Sequence, residues 1–209
     1  MPTLLHIDSS PLVGASISRH LTSEFVQHWK TANPNGKVIT RDLTTSNIAP
    51  LNAEIIGAFF TPADARTPAQ AEALALSDTM IAELQAADEY VIGVSMHNFS
   101  IPSVLKLWID QVVRAGQTFA YVDGAPVGLL KNKKVTFLVA SGGVYDAGTA
   151  MESFNFVEPY LRTLFGFVGV SETSFVNAGG AAAINYGKID RKTFLEPHVE
   201  TIRAKFQAA

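Results

Sequence analysis

Three short polar stretches hold the residue types that could bind or transform a small molecule. The first carries Ser9, Ser10, Ser16 and Ser18 between a strand and a helix. Hydroxyls beside the open N–H groups and positive end of a helix suit a phosphate dianion. Arg19 adds a charge nearby. Taken alone, the stretch is equally well explained by Ser16 or Ser18 capping the helix. The second is Met96-His97-Asn98-Phe99, followed by Ser100. Its amide, imidazole and backbone donors lie beside apolar residues, a mixture that suits a flat heteroaromatic ring with polar edges. Backbone N–H groups there could also stabilise negative charge building on such a ring. The third is Ser141-Gly142-Gly143, where two residues without Cβ let the backbone approach a ligand closely. Alone it reads as a plain turn; beside two other polar loops, ligand contact is the better reading.

Other chemistries lack their residues. There is no cysteine, so disulfides, thiolate metal sites and cysteine nucleophiles are excluded. His6, His20, His28 and His198 show neither HExxH nor HxH spacing, and no metal is expected. No GxxxxGK[ST] occurs, and no GxGxxG follows the first strand to partner Asp42. Ser141-Gly142-Gly143 is not GxSxG, so no nucleophile elbow can be placed. A net charge of −3 gives no reason to expect nucleic acid. No apolar run reaches the length of a membrane helix, and no basic stretch followed by a long apolar run opens the sequence. The expectation is a cytoplasmic protein with no membrane partner, folded as one domain over residues 1–209.

The elements that must position the three loops can be read from periodicity. Thr3 to Asp8 is a short buried strand, and Ile17, Leu21, Phe25 and Trp29 recur at helical spacing after it. Asn33 to Gly36 turns into a second strand, Lys37 to Leu43. Ala53 to Phe60 is a short helix, Thr61 to Pro68 a connection of mobile character, and Ala69 to Ala87 an alanine-rich helix. The third strand, Glu89 to Val94, leads into the middle loop. Pro102 opens the next helix and Gly116 stops it, with Val104, Leu105, Trp108, Ile109, Val112 and Val113 on its apolar face. Lys106, Asp110 and Arg114 fall four apart, as a solvated stripe of alternating charge. Phe119 to Leu130 is a small hairpin, with a turn at Asp123-Gly124. A fourth strand spans Lys134 to Ala140, a helix Ser153 to Leu164, a fifth strand Phe167 to Asn177, a small-residue loop Gly179 to Gly187, and a last helix Asp190 to Gln207. Strands alternating with helices argue for a doubly wound parallel α/β fold, three-layered and flavodoxin-like, with strand order 2-1-3-4-5. That order brings the three loops to one crevice at the carboxyl edge. Trp29 and Trp108, on helix faces, are expected in the core or an interface. Phe119, Tyr121, Tyr145 and Phe165 could wall a substrate pocket or simply pack.

SSPLVGASISRHLT in the first loop, MHNFSIPSVLKLWIDQVVRAGQTF in the middle and ASGGVY after the fourth strand carry a family likeness. The chain resembles the FMN-dependent NADH azoreductases, which also act as quinone reductases. The resemblance implies a homodimer with two FMN sites at the subunit interface, FMN held tightly without a covalent bond, and NADH or NADPH as donor. It implies ping-pong hydride transfer through FMN N5 to quinones or aromatic azo compounds. By position, Ser10 and Ser16, Ile17 and Ser18 would hold the FMN phosphate. Met96, His97, Asn98 and Phe99 would border the isoalloxazine ring, and Ser141, Gly142 and Gly143 would bond its pyrimidine edge. Phe119, Tyr121 and Tyr145 would shape the acceptor site. No side chain would be an obligate catalyst, although Asn98, His97 and Tyr145 could assist. The charged stripe on the middle helix would be a candidate contact between subunits. Two departures stand out: His97 replaces the usual tyrosine, and Ala140-Ser141 replaces the usual Ser-Arg. The rivals are a flavin-binding electron carrier without its own small-molecule acceptor, and a non-enzymatic signalling domain on the same fold.

Overall fold

Strands buried on both faces set the architecture. In the computed structural model, which describes residues 1–207, β1 (Thr3–Asp8), β2 (Lys37–Asp42) and β3 (Glu89–Ser95) are followed by the hairpin strands β4 (Phe119–Val122) and β5 (Ala125–Gly128). β6 (Lys134–Ala140) and β7 (Glu172–Ala178) complete the set. β3 and β6 are near-continuous apolar runs, as expected of parallel strands covered on both sides. The main sheet has the order β2-β1-β3-β6-β7 with every pairing parallel, which is the anticipated arrangement.

Alternation along the strands divides the core in two. Leu4, Val91 and Leu138 face α1 (Ile17–Ala32) and α7 (Arg191–Ala204). Leu5, Tyr90, Ile92 and Phe137 face the opposite layer, built from α3 (Pro68–Ala86), α4 (Ser103–Val112) and α5 (Glu158–Phe167). Trp29 and Trp108 are each buried in one of these layers, so both belong to the core. Trp29 also donates its indole N–H to Glu89 Oε2 at 2.9 Å. α1 lies close over β3 at Gly93, where a Cβ would come within 2.9 Å of Thr22 Cγ2 and 3.0 Å of Asp8 Oδ1. A glycine is therefore needed for the helix to sit this near the sheet.

Several boundaries move from their sequence expectation. α3 begins one residue earlier, at Pro68, because Thr67 and Gln70 form a reciprocal capping box there. The preceding connection is tied down by Arg66 to Asp78 at 2.8 Å and Gln70 to Thr61 at 3.2 Å. The helix expected over Ser153 to Leu164 is instead a 3₁₀ turn at Glu152–Phe154 and then α5. Pro159 sits in the first turn of α5 and Gly169, at φ +103°, follows its end, which also pushes the start of β7 to Glu172. The small-residue loop contains α6 (Ala182–Asn185). α2 (Ala53–Phe59) forms as expected, with Asn52 as its N-cap. No helix among the described residues is long and apolar enough to cross a membrane.

The β4–β5 hairpin lies at the amino edge of the sheet. Leu130 N–H bonds Val168 O at 2.9 Å, just before β6 and β7 begin. Gly128 abuts Gly169 so tightly that a Cβ would fall 2.1 Å from the Gly169 nitrogen.

Candidate functional site

Parallel strands deliver their following loops to one edge, and the three polar loops meet there. The loops after β1, β3 and β6, together with the segment around α6, enclose a crevice of about 360 Å³. Of the cofactor residues expected from sequence, Ser10, Ser16, Ile17, Met96, His97, Ser141 and Gly142 line it. Ser18 lies just beneath, fully buried, with its hydroxyl 3.2 Å from that of Ser16. Asn98, Phe99 and Gly143 belong to the same loops but not to the crevice wall.

The first loop is organised around the start of α1. Ser16 is the N-cap, its Oγ accepting the Arg19 N–H at 3.2 Å. This serine therefore caps the helix and also lines the crevice. The first turn of α1 contains no acidic residue, and the N–H groups of Ile17 and Ser18 take no acceptor among the described residues. An anion placed there meets unpaired donors and the positive helix end. Ser9 is committed elsewhere, donating to Gly93 O at 2.6 Å and so fixing the loop to β3.

Arg19 does not supply charge to this site. Its guanidinium forms a two-pronged pair with Asp42, at 2.7 and 2.8 Å, and donates twice to Ser10 O. The hydrogen bond from Arg19 is the main reason the Asp42 carboxyl is held down at about 2, with Thr44 contributing against the opposing effect of burial. Asp8 lies 3.6 Å from the same guanidinium and accepts Thr22 Oγ1–H at 2.8 Å. Arg19 thus neutralises carboxylates behind the loop and steadies the loop through its backbone.

The middle loop is a tight turn. His97 and Ser100 exchange two backbone hydrogen bonds of 3.0 Å, and the residues between them, Asn98 and Phe99, have φ of +48° and +69°. Positive φ at both central positions is the type I′ pattern, in which asparagine is at home and phenylalanine is strained. Packing holds the strained residue. The Phe99 ring lies 5.2 Å from Phe154 and 6.1 Å, nearly edge-on, from Tyr145, and its carbonyl accepts the Phe156 N–H at 3.1 Å. Tyr145 therefore buttresses the middle loop from the third one. The His97 Nε2 atom lies 3.1 Å from Ser95 Oγ, which anchors the imidazole at the crevice wall.

The third loop is braced by the segment around α6. The N–H groups of Gly180, Ala181 and Ala182 bond the carbonyls of Gly143, Ser141 and Gly142. The N–H groups of Gly142 and Gly143 themselves take no acceptor among the described residues. The two glycines differ in purpose. Gly142 lines the crevice, where a Cβ would make only an ordinary contact with Ala182 Cβ at 3.8 Å, whereas a Cβ at Gly143 would press at 3.1 Å on the Tyr145 ring.

Phe165 packs in the core against Phe137 at 5.0 Å, and Phe119 and Tyr121 are not brought to this crevice within one chain. They stand on the hairpin at the opposite edge, where Phe119 packs on Phe167 at 4.8 Å and Tyr121 is two-thirds exposed. The charged stripe is also shorter than its spacing implied. Lys106 and Asp110 pair on α4, but Arg114 lies beyond the helix end, buried, bonding Ser77 and Asp78 and stacking at 4.7 Å over Phe59. Sequence reasoning missed Arg191, Asn185 and Ile184 as crevice residues. Their only signal is the small-residue run before the last helix, which carries no binding motif.

The flavodoxin-like fold family matches residues 2–205. An FMN-dependent NADH:quinone oxidoreductase of Acidobacterium capsulatum is 57% identical over 97% of this chain and 98% of its own length. FMN-dependent NADH:quinone oxidoreductase 3 of Burkholderia lata is 49% identical over the same shares. The crystal structure of an azoreductase from Bacillus anthracis superposes with a TM-score of 0.88 at 26% identity, covering all of both chains. The chain belongs to the flavodoxin-like family, among the FMN-dependent NADH:quinone oxidoreductases.

Proposed function

We propose that this chain is an FMN-dependent oxidoreductase that takes electrons from NADH, or NADPH, and delivers them to quinones and aromatic azo compounds. It would act as a cytoplasmic homodimer with its FMN sites at the subunit interface. The observation that carries the reading is the meeting of three loops at one crevice. One end of that crevice has buried hydroxyls and open helix N–H groups, and the other a rigid turn flanked by aromatic rings. The relatives named above, alike over nearly the whole chain, support the same conclusion.

The donor set fits a phosphorylated flavin. Ser10, Ser16, Ile17 and Ser18 would hold the phosphate, and no acid in the first turn of α1 opposes it. Met96, His97, Asn98 and Phe99 would border the ring, with the Asn98 amide bonding its edge. Ser141 and the uncommitted N–H groups of Gly142 and Gly143 would meet the pyrimidine side. Bound FMN supplies the two-electron chemistry, and the protein supplies binding, orientation and electrostatics. Donor and acceptor would use the open face in turn, giving a ping-pong order. His97, anchored at Nε2 by Ser95, and the Tyr145 hydroxyl, beside Phe99, would be the groups to steer a proton to the reduced acceptor. Phe119 and Tyr121 would reach an acceptor only across the dimer, the hairpin of each subunit serving the crevice of the other.

Rapid-mixing measurements test this. The purified protein should be yellow, its flavin absorbance bleached by NADH and restored by a quinone without any partner protein. A colourless protein that gains no activity from added FMN would sink the reading.

A further inference from the structure

Of the seven arginines in the chain, six pair with a carboxylate: Arg19 with Asp42, Arg41 with Glu83, Arg66 and Arg114 with Asp78, Arg162 with Glu158, and Arg203 with Glu200. Arg191 is the exception among the described residues, and it is the arginine that lines the crevice. It is the first residue of α7, after the N-cap Asp190, whose carboxylate is engaged by Thr193 at 3.0 Å through the backbone. Its Nη1 donates to Ala15 O at 2.7 Å and its Nη2 to Ser16 O at 2.9 Å, across 176 and 175 residues of sequence. A guanidinium has five N–H donors, so three remain. The crevice wall contains no aspartate, glutamate or lysine, and Ser10 and Ser16 share it with Arg191. A half-buried cation without a counter-ion, beside hydroxyls and the open start of a helix, calls for an anionic ligand.

We propose that Arg191 is a phosphate-binding residue of this chain, supplying the positive charge for the FMN phosphate while latching the loop that bears Ser10 and Ser16. The inference rests on the FMN reading above and assigns a ligand contact to a residue outside the three loops. Arg19, nearer in sequence, has its charge taken by Asp42, whereas the charge of Arg191 is available to a ligand. The last helix thereby becomes part of the cofactor site.

Titration of the apoprotein with FMN and with riboflavin, followed by flavin fluorescence, separates the possibilities. Riboflavin keeps the ring and lacks the phosphate. Arg191→Met should weaken FMN binding about 10- to 100-fold, the range for losing one charge-assisted contact. Riboflavin affinity should stay within about twofold, which also reports that the crevice is intact. Arg191→Lys should recover part of the FMN affinity. The weakening of FMN binding by added salt should be flatter in Arg191→Met than in wild type, because a charged contact has gone. An unchanged FMN affinity, an equal loss for both flavins, or a wild-type salt response in Arg191→Met would each overturn the proposal. If the wild-type protein binds neither flavin, the FMN reading itself falls, and this inference with it.

Discussion

Asn98 and Phe99 show how much a single backbone conformation can carry. Two adjacent residues with positive φ place the middle loop at the crevice mouth, and only one of them is a type that adopts this readily. Asn98→Gly should leave stability within about 1 kcal/mol of wild type, whereas Asn98→Val should cost about 1–3 kcal/mol, because a β-branched residue is strained at positive φ. Urea unfolding of the two variants checks the contrast. Behind the first loop, Asp42 has its carboxyl lowered from the ordinary value of 3.8 to about 2, first by the hydrogen bond from Arg19. A lowered folded-state pKa gives stability that is fully present above the unfolded value and is lost as pH falls through the folded one. Asp42→Asn should therefore be less stable than wild type at pH 7. The gap between their urea midpoints should narrow from about pH 4 downward and close only below about pH 2.

At the scale of elements, the hairpin depends on one contact between backbones. Gly128 meets Val168 and Gly169 at distances that leave no room for a methyl group. Gly128→Ala should destabilise the protein by about 1–3 kcal/mol through overpacking that no rotamer change can relieve. Thermal unfolding would reveal it, together with faster proteolysis between Phe119 and Leu130. This contact was not legible in the sequence, since a glycine ending a hairpin strand looks the same whether or not another backbone lies against it. The sheet order was legible, because apolar strands separated by helices admit few parallel arrangements. The boundaries of α5 were misplaced for a definite reason. The apolar spacing from Phe154 onward resembles a helix, but Pro159 marks the true first turn and Phe154 belongs to the brace on Phe99. That Ser10, Met96 and Ser141 would reach the crevice could be read because each lies within two residues of a strand's end, and Ser16 because it opens the helix after β1, whereas Arg191 comes to them from a distant helix.

For the whole molecule, the proposed homodimer explains two features that one chain leaves without purpose. Tyr121 and Val122 stand exposed at the hairpin tip, and aromatic residues including Phe99, Phe154 and Phe156 remain partly exposed beside the crevice. A dimer of the proposed kind would cover exposed apolar residues of this sort. Lys106 and Asp110 form the remaining charged pair on α4, half-exposed and available to a second subunit. Sedimentation should show a dimer for the wild type and a shift toward monomer for Asp110→Lys. A fully dimeric variant would remove that pair from the interface.

The tie between Arg191 and the carbonyls of Ala15 and Ser16 also bears on how the protein is made. The serine loop leaves the ribosome early and its clasp follows about 175 residues later. Domains fold as units while synthesis proceeds from the N-terminus, so on the proposed reading the phosphate site would stay unfinished until α7 has been made. Cofactor loading would then report a finished fold, and a chain cut short before α7 should be poor in flavin.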